Sequence, residues 1–151
     1  MKRMAPILIL STLIALPLAA RAQQFAKPEQ AVKYRQSALS LMGTHFGRIG
    51  AVVKGEKPYD KAAVEADAVL VETLARLPWQ AFPAGSDTAN SKAKPEIWKE
   101  QDKFHAASDK LQVEVGNLVA AAKSGDLAAI KKAFGATGQS CKACHDDFRN
   151  K

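Results

Sequence analysis

Apolar residues recur every three or four positions along four stretches of this chain, which predicts four amphipathic helices. The stretches run from Lys27 to about Lys54, from Asp60 to Pro78, from near Pro95 to Gly125, and from Ser124 or Asp126 almost to the C-terminus. No stretch carries strand signals. Because short links join helices that each have one apolar face, we expect an all-α fold, an antiparallel up-down-up-down four-helix bundle.

Two features modify this simple plan. Residues 79–94 form the longest irregular stretch between the helices and are rich in proline, glycine and small polar residues, a composition typical of functional loops. The fourth helix contains Gly135 and Gly138, each costing about 1 kcal/mol relative to alanine. Two interpretations stay open there: the helix breaks, or the glycines let a neighbouring helix or a bound group approach closely.

The strongest chemical signal is Cys141-Lys142-Ala143-Cys144-His145. Cys-x-x-Cys-His is the pattern of covalent c-type haem attachment, in which both thiols bond the porphyrin and the next imidazole ligates the iron. Residues three and four apart share one helix face, so all three side chains can reach one flat macrocycle. We therefore predict one haem c, covalently bound through Cys141 and Cys144, with His145 as the metal ligand.

Three other uses of the two cysteines remain open. A zinc site would need two more ligands, and the other histidines, His45 and His105, are distant in sequence with no second cysteine pair. A thioredoxin-like redox pair would begin a helix within a strand-and-helix pattern. A disulfide between residues three apart would close too small a loop to stabilise the chain much.

Residues 1–22 are predicted to be a secretory signal peptide. Lys2 and Arg3 precede an apolar run at residues 7–19, and Ala20-Arg21-Ala22 forms a small-residue cleavage site. The alternative is a retained membrane anchor, although a bilayer span needs about 20 apolar residues. Cleavage leaves a single domain, residues 23–151, with no membrane segment. Haem is attached outside the bacterial inner membrane, so the predicted location is the periplasm.

The formal net charge of the chain is +7, and it falls to +4 when the three basic residues of the predicted signal peptide are removed. The basic residues are neither clustered nor interleaved with aromatic residues, which argues against a nucleic-acid partner. Part of the positive charge can offset the two haem propionates.

The C-terminal position of the haem motif resembles the class II cytochromes c, and in particular the cytochrome c′ family of denitrifying proteobacteria. The similarity extends over essentially all of residues 23–151. The matching blocks are Gln24 to Pro28, Ala31 to Leu39, His45 to Arg48, Leu77 to Trp79, Pro95 to Trp98 and Ser140 to His145. The resemblance implies the same four-helix bundle around one covalent haem c.

The resemblance also implies roles for individual side chains. The residues that match haem-contacting positions are Arg35, Gln36, Leu39, Cys141, Cys144, His145 and Arg149. In the family, Cys141 and Cys144 correspond to the thioether cysteines and His145 to the proximal ligand. Arg35 and Gln36 correspond to residues at the haem edge, where the arginine can pair with a propionate.

Three further matches have simpler alternatives. Leu39 corresponds to the apolar residue that blocks the distal face, but it could be ordinary core. Arg149 corresponds to an arginine that contacts nitric oxide on the proximal side in some members, but it could simply favour the C-terminal end of a helix. Trp79 and Phe82 correspond to aromatic residues near the haem, but Trp79 could equally be core. No residue of 85–94 is matched, because that loop differs from the family in length and composition.

The function that the resemblance implies is binding of nitric oxide and carbon monoxide at a five-coordinate, high-spin iron, with a capacity for electron transfer to an unidentified periplasmic redox partner. Family members commonly form homodimers through their first two helices, so a homodimer is expected.

Two other functions are considered. A low-spin electron carrier would place Met42 on the iron, or less favourably His45. Met42 lies three residues beyond Leu39, about 4.5 Å along the helix axis, so we expect it beside the haem. A peroxidase would need a distal histidine and arginine, whereas this helix face offers leucine and methionine; no enzymatic activity is expected.

Overall fold

The computed structural model describes residues 25–151. Its helices are α1 (Pro28–Val53), α2 (Lys61–Ala75), a 3₁₀ helix (Pro78–Ala81), α3 (Glu96–Lys99), α4 (Gln101–Ser124) and α5 (Leu127–Phe148). The long helices α1, α2, α4 and α5 pack against their sequence neighbours, and α5 also packs on α1. The predicted antiparallel four-helix bundle is confirmed.

The predicted signal peptide and its cleavage site lie outside the described residues. Within residues 25–151, no helix combines the length and the hydropathy that crossing a bilayer requires.

The helix ends follow from local chemistry. Asp60 accepts hydrogen bonds from the backbone N–H groups of Ala62 and Ala63, at 2.9 and 3.2 Å, and so begins α2. Asp126, not Ser124, begins α5 by accepting from the N–H of Ala128 at 2.8 Å. Gly125 ends α4 with φ of +78°, a left-handed conformation that favours glycine.

The predicted third helix is wrong in one respect, because the chain breaks at Glu100 (φ −116°, ψ 52°) into the short α3 and the long α4. The indole of Trp98 donates to the carbonyl oxygens of Phe82 and Pro83, both at 3.1 Å, which holds α3 against the preceding loop. Conversely, α5 is continuous through Gly135 and Gly138, so the alternative of a broken fourth helix is wrong.

The bundle has two unlike halves. One half contains the cluster that we call the closed core: Ile49, Val64, Ala68, Leu118, Val119, Ala122 and Ile130. Phe46 and Phe134 stack beside it with ring centroids 4.2 Å apart. The other half contains a large cavity and is covered by the loop of residues 82–94.

Candidate haem site

A cavity of about 570 Å³ opens between α1 and α5. Its lining is predominantly apolar and includes Val71 of α2 and Leu111 and Val115 of α4. All seven predicted site residues line this one cavity: Arg35, Gln36, Leu39, Cys141, Cys144, His145 and Arg149. The structure therefore brings together residues more than a hundred positions apart, while their individual roles toward the haem remain predictions.

The α1 wall is apolar in its interior and polar at its mouth. Leu39, Met42 and Phe46 lie at helical spacing along the wall. Met42 is buried and packs with Val71, Leu111 and neighbouring residues. His45 does not line the cavity. Its Nδ1 lies 2.7 Å from Asp67 Oδ1, which directs the ring toward α2.

The α5 wall presents the haem motif. Cys141 and Cys144 are half-buried and not joined by a disulfide. Burial is the first cause that raises the pKa of both thiols, and it takes that of Cys144 to about 11 with smaller contributions from Cys141 and Asp147. Both thiols are therefore protonated at neutral pH.

His145 lies on the same helix end and is more exposed. Partial burial of the ring lowers its pKa, the positive charge of Arg149 lowers it further, and Asp146 opposes the shift. A lower pKa favours the neutral imidazole, which is the form that ligates metal ions.

Arg35 has an unexpected position. Its side chain is only 3% exposed, yet no carboxylate of residues 25–151 lies within ion-pair distance of it. Nη1 donates to Ala81 O at 2.6 Å and Ser86 Oγ at 2.8 Å, and Nη2 donates to Ser86 O at 2.6 Å and Ser91 Oγ at 2.8 Å. The guanidinium also lies 4.4 Å from the centroid of the Phe82 ring.

A guanidinium has five N–H donors, of which four are on the two terminal nitrogens and one is on Nε. The contacts of Arg35 use all four donors of the terminal nitrogens. Only Nε–H is left for other acceptors. Burial lowers the pKa of Arg35, and Asp87 opposes this shift, but an arginine stays charged at neutral pH. Gln36 Nε2 donates to Asn90 O at 2.9 Å. Both residues therefore hold the 82–94 loop over the cavity.

The cavity is closed at one side by aromatic rings. The ring of Phe104 lies centrally, with centroid distances of 4.9 Å to Phe82, 5.3 Å to Phe148 and 5.7 Å to Trp79 in edge-to-face arrangements. Trp79 Nε1 donates to Ala75 O at 2.6 Å, which satisfies the indole. The positions of Trp79 and Phe82 beside the cavity agree with the prediction from the sequence.

The chain after α5 is paired with the end of the loop. Lys94 N donates to Phe148 O at 3.0 Å, and Asn150 N donates to Lys92 O at 2.8 Å, on either side of an antiparallel bridge between Ala93 and Arg149. Arg149 itself is extended (φ −125°, ψ 128°) and lines the cavity one turn beyond His145.

The cavity fits a haem covalently bound to α5. Two half-buried thiols and the His145 imidazole face one space with apolar walls, and Lys92 and Arg149 at its lining can offset propionate charge. A Cβ at Gly43, which lines the cavity, would meet no described atom within 4 Å beyond its chain neighbours and the nearby backbone of α1, so the wall leaves room there. Gly138 also lines the cavity, in agreement with the interpretation that glycine permits close approach.

The sequence did not reveal the contribution of the 82–94 loop. Ser86 is fully buried, and Ser91, Lys92 and Ala93 line the cavity. Their partners are about fifty residues away in sequence, and small polar residues in an irregular loop give no periodic signal. In the sequence, the only indication is the position of Arg35 on the apolar face of a predicted helix. A guanidinium buried at such a position needs hydrogen-bond acceptors from another part of the chain.

Comparison with known proteins agrees with the geometry. The family described as Cytochrome C′ matches residues 30–149. A cytochrome c′ from Alcaligenes xylosoxydans xylosoxydans is 52% identical over 128 residues, covering 85% of this chain and 99% of the relative.

Solved structures show the same similarity. Cytochrome c′ from Rubrivivax gelatinosus has a TM-score of 0.81 and 45% identity, covering 84% of this chain and 100% of that chain. A nitric oxide complex of a leucine-to-alanine mutant of cytochrome c prime from Alcaligenes xylosoxidans also has a TM-score of 0.81, with 49% identity and coverage of 85% and 99%.

These similarities decide between the four uses of the two cysteines. The family carries haem c, so Cys141 and Cys144 hold a covalent haem, and the zinc, redox-pair and disulfide alternatives are wrong. The fold, the cavity, the motif and the comparisons agree: the chain belongs to the cytochrome c′ family.

Proposed function

We propose that this protein binds nitric oxide and carbon monoxide at a five-coordinate, high-spin haem iron in the periplasm. The observation that carries the proposal is the cavity lining. Within residues 25–151, His145 is the only imidazole that lines the cavity, and the interior of the α1 wall is formed by Leu39, Met42 and Phe46. When bound, haem supplies an iron with a free coordination position at which a diatomic gas can bind.

The side chains of the chain select among ligands. With haem bound, His145 would be the residue of α5 that ligates the iron, and Leu39 of α1 would exclude water from the cavity. Leu39 offers no hydrogen-bond donor, so a ligand that becomes partly anionic on binding, such as dioxygen, gains no stabilisation there. Nearby Arg35 cannot supply donors readily because its terminal N–H groups already donate to Ala81, Ser86 and Ser91. Small neutral gases are therefore favoured.

The solved nitric oxide complex of a relative supports gas binding by this family. Arg149 lines the cavity one turn after His145, which is compatible with a gas held on the His145 side.

The test is the absorption spectrum of the purified holoprotein, ferric and dithionite-reduced, with and without nitric oxide and carbon monoxide. We expect high-spin spectra that respond to both gases. Leu39→Ala should speed gas binding by at least tenfold, since it removes the side chain that excludes ligands. Leu74→Ala is the matched control, because Leu74 is partly buried in the same half of the bundle but does not line the cavity. Low-spin spectra without any response to either gas would contradict the proposal.

Electron transfer is a second capacity that we propose for the same haem, with an unidentified periplasmic redox partner. The alternative is a low-spin electron carrier in which Met42 ligates the iron. The observation that favours it is that Met42 lines the cavity. Its packing with Val71, Leu111 and Val115 instead favours a place in the core. Met42→Leu distinguishes the two forms. It should leave a high-spin spectrum unchanged, whereas it would convert a low-spin spectrum to high-spin if Met42 were the ligand.

We also propose that the protein is a binding protein and not a peroxidase. A distal acid–base histidine would have to lie on the cavity wall, and His45 is turned to Asp67 instead. The check is hydrogen peroxide turnover by the ferric holoprotein with a reducing dye. We expect no saturable activity above that of free haem.

A homodimer through α1 and α2 is the last part of the proposal. Leu41 on α1 and Val69 and Leu70 on α2 are 52%, 40% and 43% exposed, and a second copy packed on these helices would remove their apolar surface from water. We expect Leu41→Glu to convert a dimer to a monomer in sedimentation velocity. Val113→Glu, at an equally exposed position on α4, is the control and should leave the assembly unchanged.

A further inference from the structure

The 82–94 loop is hydrogen-bonded to two different walls of the cavity. At one end, Arg35 and Gln36 of α1 bind Ser86, Asn90 and other loop residues. At the other end, Lys92 and Lys94 pair with the backbone beyond α5. The loop therefore connects the helix that carries Leu39 with the segment that carries Arg149.

Ser91 is the residue at which the two sets of bonds meet. Its Oγ accepts from Arg35 Nη2 at 2.8 Å and from Ala93 N at 3.0 Å. A hydroxyl oxygen has two lone pairs, so both are occupied by these donors. Ser91 is partly buried and lines the cavity, where loss of the oxygen would leave a charged donor without one of its acceptors.

The segment beyond α5 depends on this pairing. Residues that follow the last helix of a domain usually fray unless something holds them. Here Phe148 O and Asn150 N are bonded to Lys94 and Lys92, and the side chain of Lys94 donates to Asp146 O at 2.7 Å. These bonds place Arg149 against the cavity, on the side where His145 lies.

We propose that Ser91 is a positioning residue that joins Arg35 on α1 to the paired segment beyond α5, and thereby fixes Arg149 at the His145 side of the cavity. The inference deepens the proposed gas-binding function and rests on it for its consequence. A protein whose Ser91 bond is lost keeps Leu39 and His145 but holds Arg149 loosely.

The first readout is hydrogen exchange of the holoprotein, measured by mass spectrometry on peptides that contain Lys94 and Asn150. In Ser91→Ala, both amides should exchange about five- to tenfold faster, the change expected from the loss of one or two ordinary hydrogen bonds. Peptides of the closed core should not change. Ser91→Thr keeps the hydroxyl acceptor and should restore the parent exchange rates.

The matched control is Ser40→Ala. Ser40 also lines the cavity at its mouth, and its hydroxyl makes no hydrogen bond among the described residues. Unchanged exchange in Ser91→Ala, or an equal acceleration in Ser40→Ala, would overturn the proposal.

The second readout is the share of five-coordinate nitrosyl haem in the reduced protein with nitric oxide, measured by electron paramagnetic resonance. We expect that share to fall at least threefold in Ser91→Ala and to recover in Ser91→Thr. Suppose that hydrogen exchange becomes faster in Ser91→Ala but this share does not change. Ser91 would then not position Arg149 for the gas, and the proposed role toward the gas would be overturned. If the parent protein binds no nitric oxide, the proposed function fails, while the exchange experiment still decides the linkage.

Discussion

The two halves of this bundle differ in how the space between the same four helices is used. In the closed core, Ile49, Leu118 and Ile130 are fully buried and fill the space between the helices with aliphatic groups. In the cavity half, the helices leave about 570 Å³ and cover it with a loop. Side chains large enough to fill the cavity would stabilise the bundle but would also block the haem. The bundle therefore places its close packing in one half and its ligand site in the other.

The halves also differ in buried polar groups. Arg35, Ser86, Thr137 and Ser140 are buried in the cavity half, whereas the closed core is entirely apolar. Thr137 and Ser140 are satisfied within α5, since each hydroxyl donates to the carbonyl three or four residues earlier. Arg35 instead relies on acceptors outside its own helix, namely Ala81 at the end of the 3₁₀ helix and Ser86 and Ser91 of the loop. The loop is therefore a structural requirement of a buried charge as well as a cover.

The largest effect should follow from removing both thiols. In the double variant Cys141→Ser and Cys144→Ser no thioether can form, so haem staining on a denaturing gel should disappear almost completely. Hydrogen exchange should then separate the halves: peptides around the cavity lose protection, while those with Leu118 and Ile130 stay protected because their packing does not involve the haem. Ser140→Ala, which leaves both thiols, is the control. Equal loss of protection in both halves would contradict the comparison.

Two leucines offer the next test. Leu118→Ala in the closed core should lower the free energy of unfolding of the holoprotein by about 3 kcal/mol, because it leaves a cavity in a closely packed region. Leu39→Ala should lower it by only about 1 kcal/mol, since Leu39 is only partly buried. Urea titration measures both. Similar losses would mean that the two halves are equally well packed.

The helices and the haem motif could be predicted from the sequence because both depend on residues close together in the chain. Apolar spacing gave α1 within one residue at each end, and Asp60 was correctly predicted to begin α2. Cys141, Cys144 and His145 lie within five residues. The break at Glu100 could not be predicted, since the short α3 packs on residues distant in sequence: Trp98 donates to the loop, and Ile97 packs with Phe148 at the end of α5.

The surroundings of Arg35 could not be predicted either. A resemblance to a family placed Arg35 at the haem edge, and it does line the cavity, but the acceptors that surround it are 46 to 56 residues later in the chain. Helical periodicity carries no information on such pairs. The propionate contact of Arg35 remains a prediction, for which only its Nε–H is unassigned.

Arg35 itself gives the third test. Arg35→Met keeps much of the side-chain volume but leaves two carbonyl and two hydroxyl oxygens without their donor. We expect a loss of about 2 to 3 kcal/mol in urea titration, the cost of breaking a buried network of charged hydrogen bonds. Arg48→Met is the matched control. Arg48 is exposed and lies 3.6 Å from Asp67, and exposed ion pairs contribute roughly 0 to 1 kcal/mol. Equal effects would show that the loop contacts contribute no more than a surface ion pair.

The smallest expected effect on stability concerns two glycines of α1. Replacing one of them by alanine should destabilise the protein, and replacing the other should stabilise it. A Cβ at Gly50 would lie 2.9 Å from Phe134 Cζ, and this ring is stacked on Phe46 and cannot move away freely. Gly50→Ala should therefore destabilise the protein by about 1 kcal/mol, because overpacking exceeds the gain in helix propensity.

Gly47 lies one turn earlier, and a Cβ added there would meet no described atom within 4 Å beyond its chain neighbours and the nearby backbone of α1. Gly47→Ala should therefore stabilise the protein by about 0.5 to 1 kcal/mol through helix propensity alone. Thermal unfolding of both holoproteins measures the difference. Opposite shifts of the midpoint locate the boundary of the closed core between residues 47 and 50. Two stabilising shifts would mean that Phe134 yields, and that the closed half is less rigid than its packing indicates.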